Sequence, residues 1–478
     1  MKNLTATKIY ALAFGLFLGL CIWKFGNPVI LDHKISSPTT LSEFLNEPWP
    51  PHWANWMLLP LAMIGGLLIF KNHDFKTSDK SEIGNRKSEV KQLWLLPLAW
   101  LGWQFISATQ TVDGNLTTAT LWQFSGVVVC YFLGALLFNE RKVQNYLWVG
   151  LLAALAFCLI RAVDQRLFEF PANHQILIEG ERTGWTNFPV EIIAEMKLNN
   201  IIFATNGVDV ANPAFLEKLQ KGRVSGTLVY PNALAGLVLL LWPAALTIVF
   251  GTAQKLKPAI RWAAIALVIF LGGAALFWSG SKLGWLIGVA LAGIWLFRFE
   301  WPLKFKFAAI AVILILGLGI FTLRFHHYFA TGAHSASARL DYWQAAVRTT
   351  VMHPQMGTGP GTFQRPYAQI KSPESEMARL THNDYLEQFS DSGIVGGLTY
   401  GLWIILAIVR SWKKAWNTHD DFAVAILLGL LGWFAQGLGE FGLYIPATAW
   451  TAFILLGGSF SIPGLGSTRN PPNAKLPA

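Results

Sequence analysis

The sequence predicts an all-α polytopic membrane bundle of about twelve transmembrane helices, and three observations carry that prediction. Only 13% of the 478 residues are Asp, Glu, Lys or Arg, against roughly 25% in ordinary soluble domains. Hydrophobic residues make up 53% and mean hydropathy is +0.41, as expected of a chain largely dissolved in lipid. The 22 tryptophans supply the interfacial anchors that many spans require. Cys21, Cys130 and Cys158 all lie inside apolar runs, which excludes a disulfide framework and a Cys-based zinc site. The formal charge of +10 is spread over short loops rather than gathered on one face, so no nucleic-acid partner is expected.

Twelve stretches read as spans: 9–23, 53–70, 93–108, 119–138, 145–160, 228–250, 262–278, 283–297, 307–323, 394–409, 422–438 and 444–461. Several fall short of the ~20 residues that cross a hydrocarbon core, so their true ends extend into flanking polar residues. Lys2 and Lys8 precede the first span and no small-residue cleavage site follows it, which reads as an uncleaved anchor. With the N-terminus in the cytoplasm, 21 of the 37 Lys and Arg lie in cytoplasmic segments, six of them from Lys71 to Lys91, and three in short external loops. That asymmetry sets the orientation and places both termini inside.

The expected organisation is a first set of five spans within 1–163, a periplasmic loop at 164–227, four spans within 228–323, a second periplasmic loop at 324–393, three spans within 394–461, and a disordered cytoplasmic tail at 462–478. Connections as long as the two outer loops usually carry function. Helical stretches at Val190 to Leu198 and Ala338 to Met352 mark them as folded caps. Twelve spans also suit a transporter, but the spans as drawn hold no Asp, Glu, Lys, Arg or His for substrate or coupling ion. The pairs Gly65-Gly66, Gly272-Gly273 and Gly396-Gly397 read as close helix packing.

The second long loop runs SASARLDYWQAAVRTTVMHPQMGTGPGTFQ and then RLTHNDYLEQFSDSGIVGG. Here the sequence resembles the O-antigen ligase and polymerase superfamily, through Arg339, Trp343, Pro354, Gly357, Gly359, Gly361, Phe363, His382, Asn383, Leu386, Gly393, Ile394 and Gly396. RVSGTLVYPNALAG resembles a second motif of that family, with Arg223, Gly226, Thr227, Pro231, Asn232 and Ala235 in place. The resemblance covers roughly residues 220–410. It departs at SGSKLG, where relatives often have Ser-Arg; Lys282 keeps the charge and loses the planar fork.

The resemblance implies a GT-C-like fold that moves a glycan from an undecaprenyl-diphosphate carrier to a lipid or glycan hydroxyl acceptor at the periplasmic face of the inner membrane. It implies His382 as base and Arg223 and Arg339 as diphosphate ligands, with Asn383, Trp343, Tyr342, Lys282, Gly359 and Gly361 binding substrate. No metal or cofactor is called for, since diphosphate already leaves well. Lipid A-core, a growing polysaccharide and protein hydroxyls remain open as acceptors, and a transporter remains the non-enzyme alternative.

Read from the residues alone, THND before YLEQF is a helix start, with Thr381 as cap, Asp384 answering it and His382 in the first turn. The partial positive charge there favours a neutral imidazole, the state a base needs, while the bland role is a hydrogen bond to a loop carbonyl. His326, His327, His334, His353 and His382 share the loop, but none pairs with a carboxylate at ligand spacing. Gly357, Gly359 and Gly361 read either as an anion-binding nest or, more simply, as the turn that ends the preceding helix.

Overall fold

The computed structural model describes residues 2–73, 87–205, 207–330, 334–417 and 420–459. The basic segment from Lys71 to Lys91 lies largely outside these residues, and the tail at 462–478 entirely so. The chain is helical almost throughout: α1 (Lys2–Lys24), α2 (Leu41–Asn46), α3 (Pro51–His73), α4 (Lys87–Ala108), α5 (Gly114–Leu137), α6 (Arg141–Asp164), α7 (Phe170–Thr183), α8 (Val190–Leu198) and α9 (Pro213–Lys221) form the first half. Then follow α10 (Pro231–Ala253), α11 (Pro258–Trp278), α12 (Lys282–Leu296), α13 (Leu303–Ala330), α14 (His334–Met352), α15 (Gln364–Ile370), α16 (Asp384–Trp416), α17 (Asp421–Gln436) and α18 (Pro446–Gly458).

Among the described residues eight helices are long and apolar enough to cross a membrane, and four shorter apolar segments, 93–108, 282–296, 421–436 and 446–458, complete the set. These twelve follow the order of the twelve stretches read from the sequence, and the protein is an all-α polytopic membrane protein. Their ends differ from the reading where polar residues continue a helix. α13 runs on to Ala330, and α16 starts ten residues before the expected tenth span.

Burial sorts the twelve. Every residue of α18 is buried, with α1, α5, α10 and α17 packed around it, while α6 packs chiefly against α1. At the rim, the most apolar window of α13 is only 6% buried, which leaves its side chains to lipid. Small residues set the close crossings: a side chain on Gly15 or Gly150 would strike the backbone of the other helix in the α1–α6 pair, and Gly429 lies equally close to α10. Of the paired glycines, Gly65 abuts Leu133 and Tyr10, and Gly272 abuts Trp242, whereas Gly66 and Gly273 face open space.

Two folded caps cover one end. In the first, α7, α8, α9 and a hairpin of β1 (Ile202–Thr205) and β2 (Val208–Ala211) enclose Leu177, Trp185, Ile202, Ala211 and Leu219. The helix over Val190–Leu198 forms as expected; the hairpin was not anticipated, because four-residue strands fall below what alternation in a sequence reveals. The second cap packs Tyr342, Ala345, Ala346, Phe363, Tyr367 and Ala378 between α14 and α15.

Connections after the odd-numbered apolar helices meet at this end. Thr227 Oγ1 donates to Ile22 O at 2.8 Å, Ala447 N donates to Phe25 O at 3.3 Å, and Arg365 Nη2 bonds Asp113 at 2.5 Å. Asp113 caps α5 through the amides of Asn115 and Leu116. Burial raises the pKa of its carboxyl, but the amide bonds and Arg365 outweigh burial and hold it below the usual range. α16 breaks at Gly393 (φ 68°, ψ −171°), where a Cβ would sit 2.2 Å from Gln355 O. That left-handed position needs glycine. The amide of Ile394 is rescued by Pro354 O at 2.8 Å.

Candidate active site at the capped end

His382 is presented by the entry to α16. Asn383, not Thr381, is the N-cap: its Oδ1 accepts from Tyr385 N at 3.1 Å and Leu386 N at 3.0 Å, and its Nδ2 donates to Leu438 O at 2.9 Å. His382 therefore precedes the helix instead of sitting in its first turn, with φ of +52°. Glu387, not Asp384, reaches back, accepting from Thr381 N and Oγ1, both at 2.9 Å. Asp384 instead accepts from Leu443 N at 3.2 Å. The tetrad was misread because Asp384 is drawn to Leu443, 59 positions away, which local spacing does not display, while Thr381 turns to Asn383 and Glu387.

Tyr342 stacks on the His382 ring with centroids 6.0 Å apart, and the edge of Phe441 closes it at 4.7 Å. Nδ1 of His382 lies 3.4 Å from Glu440 Oε2. The other oxygen of Glu440 accepts from Arg339 Nη2 at 2.5 Å and from Asn232 Nδ2 at 2.7 Å. Asn232 Oδ1 in turn accepts from Arg223 Nη2 at 2.8 Å, while Arg223 Nε donates to Ser279 O at 2.8 Å. One carboxylate thus joins His382, Arg339 and, through an amide, Arg223.

The backbone that delivers Arg223 is anchored by Gln165, in a π-helical turn at Gln165–Glu169, whose Oε1 accepts from Ser225 N at 3.0 Å and Gly226 N at 2.9 Å. Pro231 then opens α10 with its φ already suited to a helix and places Asn232 in the first turn. Burial lowers the pKa of Arg223; Glu440 opposes the shift, and Arg339 and Arg324 add to it. Lys282 belongs to the same cationic group, within electrostatic reach of Arg223, Arg339 and Arg324, with its Nζ 3.7 Å from the centre of the Tyr328 ring. Arg339 and Arg223 flank the Glu440 carboxylate, and Arg324 and Lys282 lie within electrostatic reach of Arg223, a cationic setting that suits a multiply charged anion.

Four expected substrate ligands are engaged elsewhere. Asn383 is engaged as a cap and is 7% exposed. Trp343 packs with the core of the second cap. Gly359 and Gly361 are buried against α5 and the segment before it: Gly359 N donates to Asp391 O at 2.8 Å and Gly361 N to Asp391 Oδ2 at 2.7 Å. The Gly359 amide serves the backbone carbonyl of Asp391 and the Gly361 amide its carboxylate, so both donors are taken by the chain itself rather than offered to substrate, and the two glycines form the turn. Tyr342, Lys282, His382, Arg339 and Arg223 are brought together.

Glu440 and the bridging role of Asn232 were missed. The signal existed, since Glu440 is the one Asp, Glu, Lys, Arg or His between Phe422 and Ser459 in the sequence. Asp384, Glu387 and Asp391 are buried in the first part of α16, beside Gln388, which meets α4 by accepting from Trp100 Nε1 at 3.0 Å and Gln104 Nε2 at 3.2 Å. The helix interior at this end is therefore more polar than the spans as drawn suggested. No group of three or more His, Cys, Asp or Glu is placed to hold a metal among the described residues.

The matched stretch of the chain starts in α11 and carries Lys282, Arg339 and His382. Residues 265–401 match the O-antigen ligase family model. The match supports an activity of the O-antigen ligase or polymerase type for this multi-pass membrane protein, in line with the resemblance read from the motifs. Arg223, Asn232 and Glu440 lie outside the matched stretch, so the geometry alone ties them to it. Comparison with curated proteins gave no match.

Proposed function

We propose that this protein is an O-antigen ligase-like glycosyltransferase that moves a glycan from an undecaprenyl-diphosphate donor to a hydroxyl acceptor at the periplasmic face of the bacterial inner membrane, with both termini in the cytoplasm. The observation that carries the reading is the convergence of Arg223, Arg339 and His382, from two separate loops, on Glu440. In this mechanism Nε2 of His382 takes the acceptor proton while the acceptor oxygen attacks the anomeric carbon. The bond from that carbon to the diphosphate oxygen breaks, its electron pair stays on the diphosphate, and configuration inverts. Arg223 and Arg339 stabilise the departing charge where water is partly excluded and such donors are strongest. No metal is required, because these cations supply the charge that a divalent ion would.

The test is to incubate purified protein with lipid-linked oligosaccharide and candidate acceptors, and to follow release of undecaprenyl diphosphate. His382→Ala should lose ~100-fold to 10,000-fold in rate, and chelator should leave the wild-type rate unchanged. A wild-type rate in the His382 variant removes the base; loss of activity in EDTA with recovery on adding a divalent ion removes the metal-free mechanism.

A further inference from the structure

We infer that Glu440 is a positioning residue that couples donor binding to the activation of His382. The inference rests on the proposed function, and it begins with a conflict in the charges. Glu440 is 7% exposed and gives one oxygen to both Arg339 Nη2 at 2.5 Å and Asn232 Nδ2 at 2.7 Å. Its other oxygen reaches His382 Nδ1 only at 3.4 Å, the outer edge of hydrogen bonding. In this arrangement the carboxylate is spent on Arg339 and on the amide that carries Arg223, the two cations a diphosphate requires.

An arriving diphosphate competes with Glu440 for Arg339, since both are anions seeking the same guanidinium. As phosphate oxygens take Arg339, Oε1 gives up its strongest partner, and the carboxylate is free to close on Nδ1. That contact fixes the tautomer with the proton on Nδ1 and leaves Nε2 as the acceptor for the hydroxyl proton. It also stabilises the imidazolium formed when the proton arrives. Tyr342 and Phe441 confine the ring, so a small movement of the carboxylate suffices to complete the pair. Base activation thus waits for the donor, which protects the acceptor site from acting without a leaving group in place.

Two substitutions separate this coupling from a structural role. In Glu440→Gln the competing charge is gone, so full-length protein in detergent should bind inorganic diphosphate at least ~5-fold more tightly by calorimetry, the lower end of ordinary site-to-site coupling. Transfer should nevertheless fall ~100-fold or more, because an amide NH2 facing Nδ1 demands an acceptor there and moves the ring proton to Nε2. In Glu440→Asp the charge stays but withdraws by one methylene; diphosphate affinity should remain within about 3-fold of wild type while turnover drops. Tighter binding with slower transfer is a pair of opposite signs that a loosened fold does not produce.

Unchanged or weaker diphosphate binding in Glu440→Gln overturns the coupling, as does wild-type turnover in either variant. If Glu440→Gln does not fold, Glu440→Asp decides: retained turnover overturns the inference. If the wild type binds no inorganic diphosphate and releases none from a lipid-linked donor, the proposed function falls and this inference with it. If the wild type does both and the variants show no opposed shift, only the coupling falls.

Discussion

Replacing Asn383 with Ala removes three hydrogen bonds at once, and the structure gives each a magnitude. Loss of an Asn cap costs about 1 kcal/mol, within a span of roughly 0.5–2; here Oδ1 serves both Tyr385 N and Leu386 N. The bond from Nδ2 to Leu438 O, at 2.9 Å, adds about 0.5–1.5 kcal/mol. The sum is about 1–3.5 kcal/mol, and it falls on the turn that carries His382 at φ +52°. Thermal unfolding of the detergent-solubilised protein should move down, and transfer should fall through a lower kcat as the ring loses its place. Asn383→Ser, which restores a capping oxygen, should recover most of the stability. A substrate ligand predicts another pattern: donor KM rises, stability is unchanged, and Ser rescues nothing. That result would refute the assignment of Asn383 as a cap that positions the base.

Lys in place of Arg223 or Arg339 keeps the charge and loses the planar fork, so either variant should forfeit about 1.5–3 kcal/mol, or ~10-fold to 100-fold in transfer; a nearly silent change would mean simple attraction, and salt would then weaken wild type and variant alike. Gly361→Ala should destabilise the second cap by about 2–5 kcal/mol, because φ is 76° and the new Cβ would lie 2.1 Å from Thr120 Oγ1. Size-exclusion after heating measures this, and a variant of normal stability with a raised donor KM would restore the glycine amides as substrate ligands.

Hydropathy in the sequence determined the bundle, because a span must be apolar over its whole length and lipid enforces that condition residue by residue. It also determined which connections share an end, since crossing is an alternation, while the resemblance of two separated motifs to the O-antigen ligase and polymerase superfamily singled out His382, Arg223 and Arg339. What it did not determine was the use of side chains whose partners are distant. Glu440 meets His382 across 58 positions, Arg339 across 101 and Asn232 across 208. Gly359 and Gly361 read equally as a nest or a turn until Asp391 was found occupying their amides. Asn383 looked like a ligand until Leu438 and the first turn of α16 claimed it. A local pattern fixes which face of a helix is apolar; a carboxylate that gathers two loops is defined only when the chain has folded, because hydrogen bonding acts over ~3 Å and the sequence carries no record of which groups come that close.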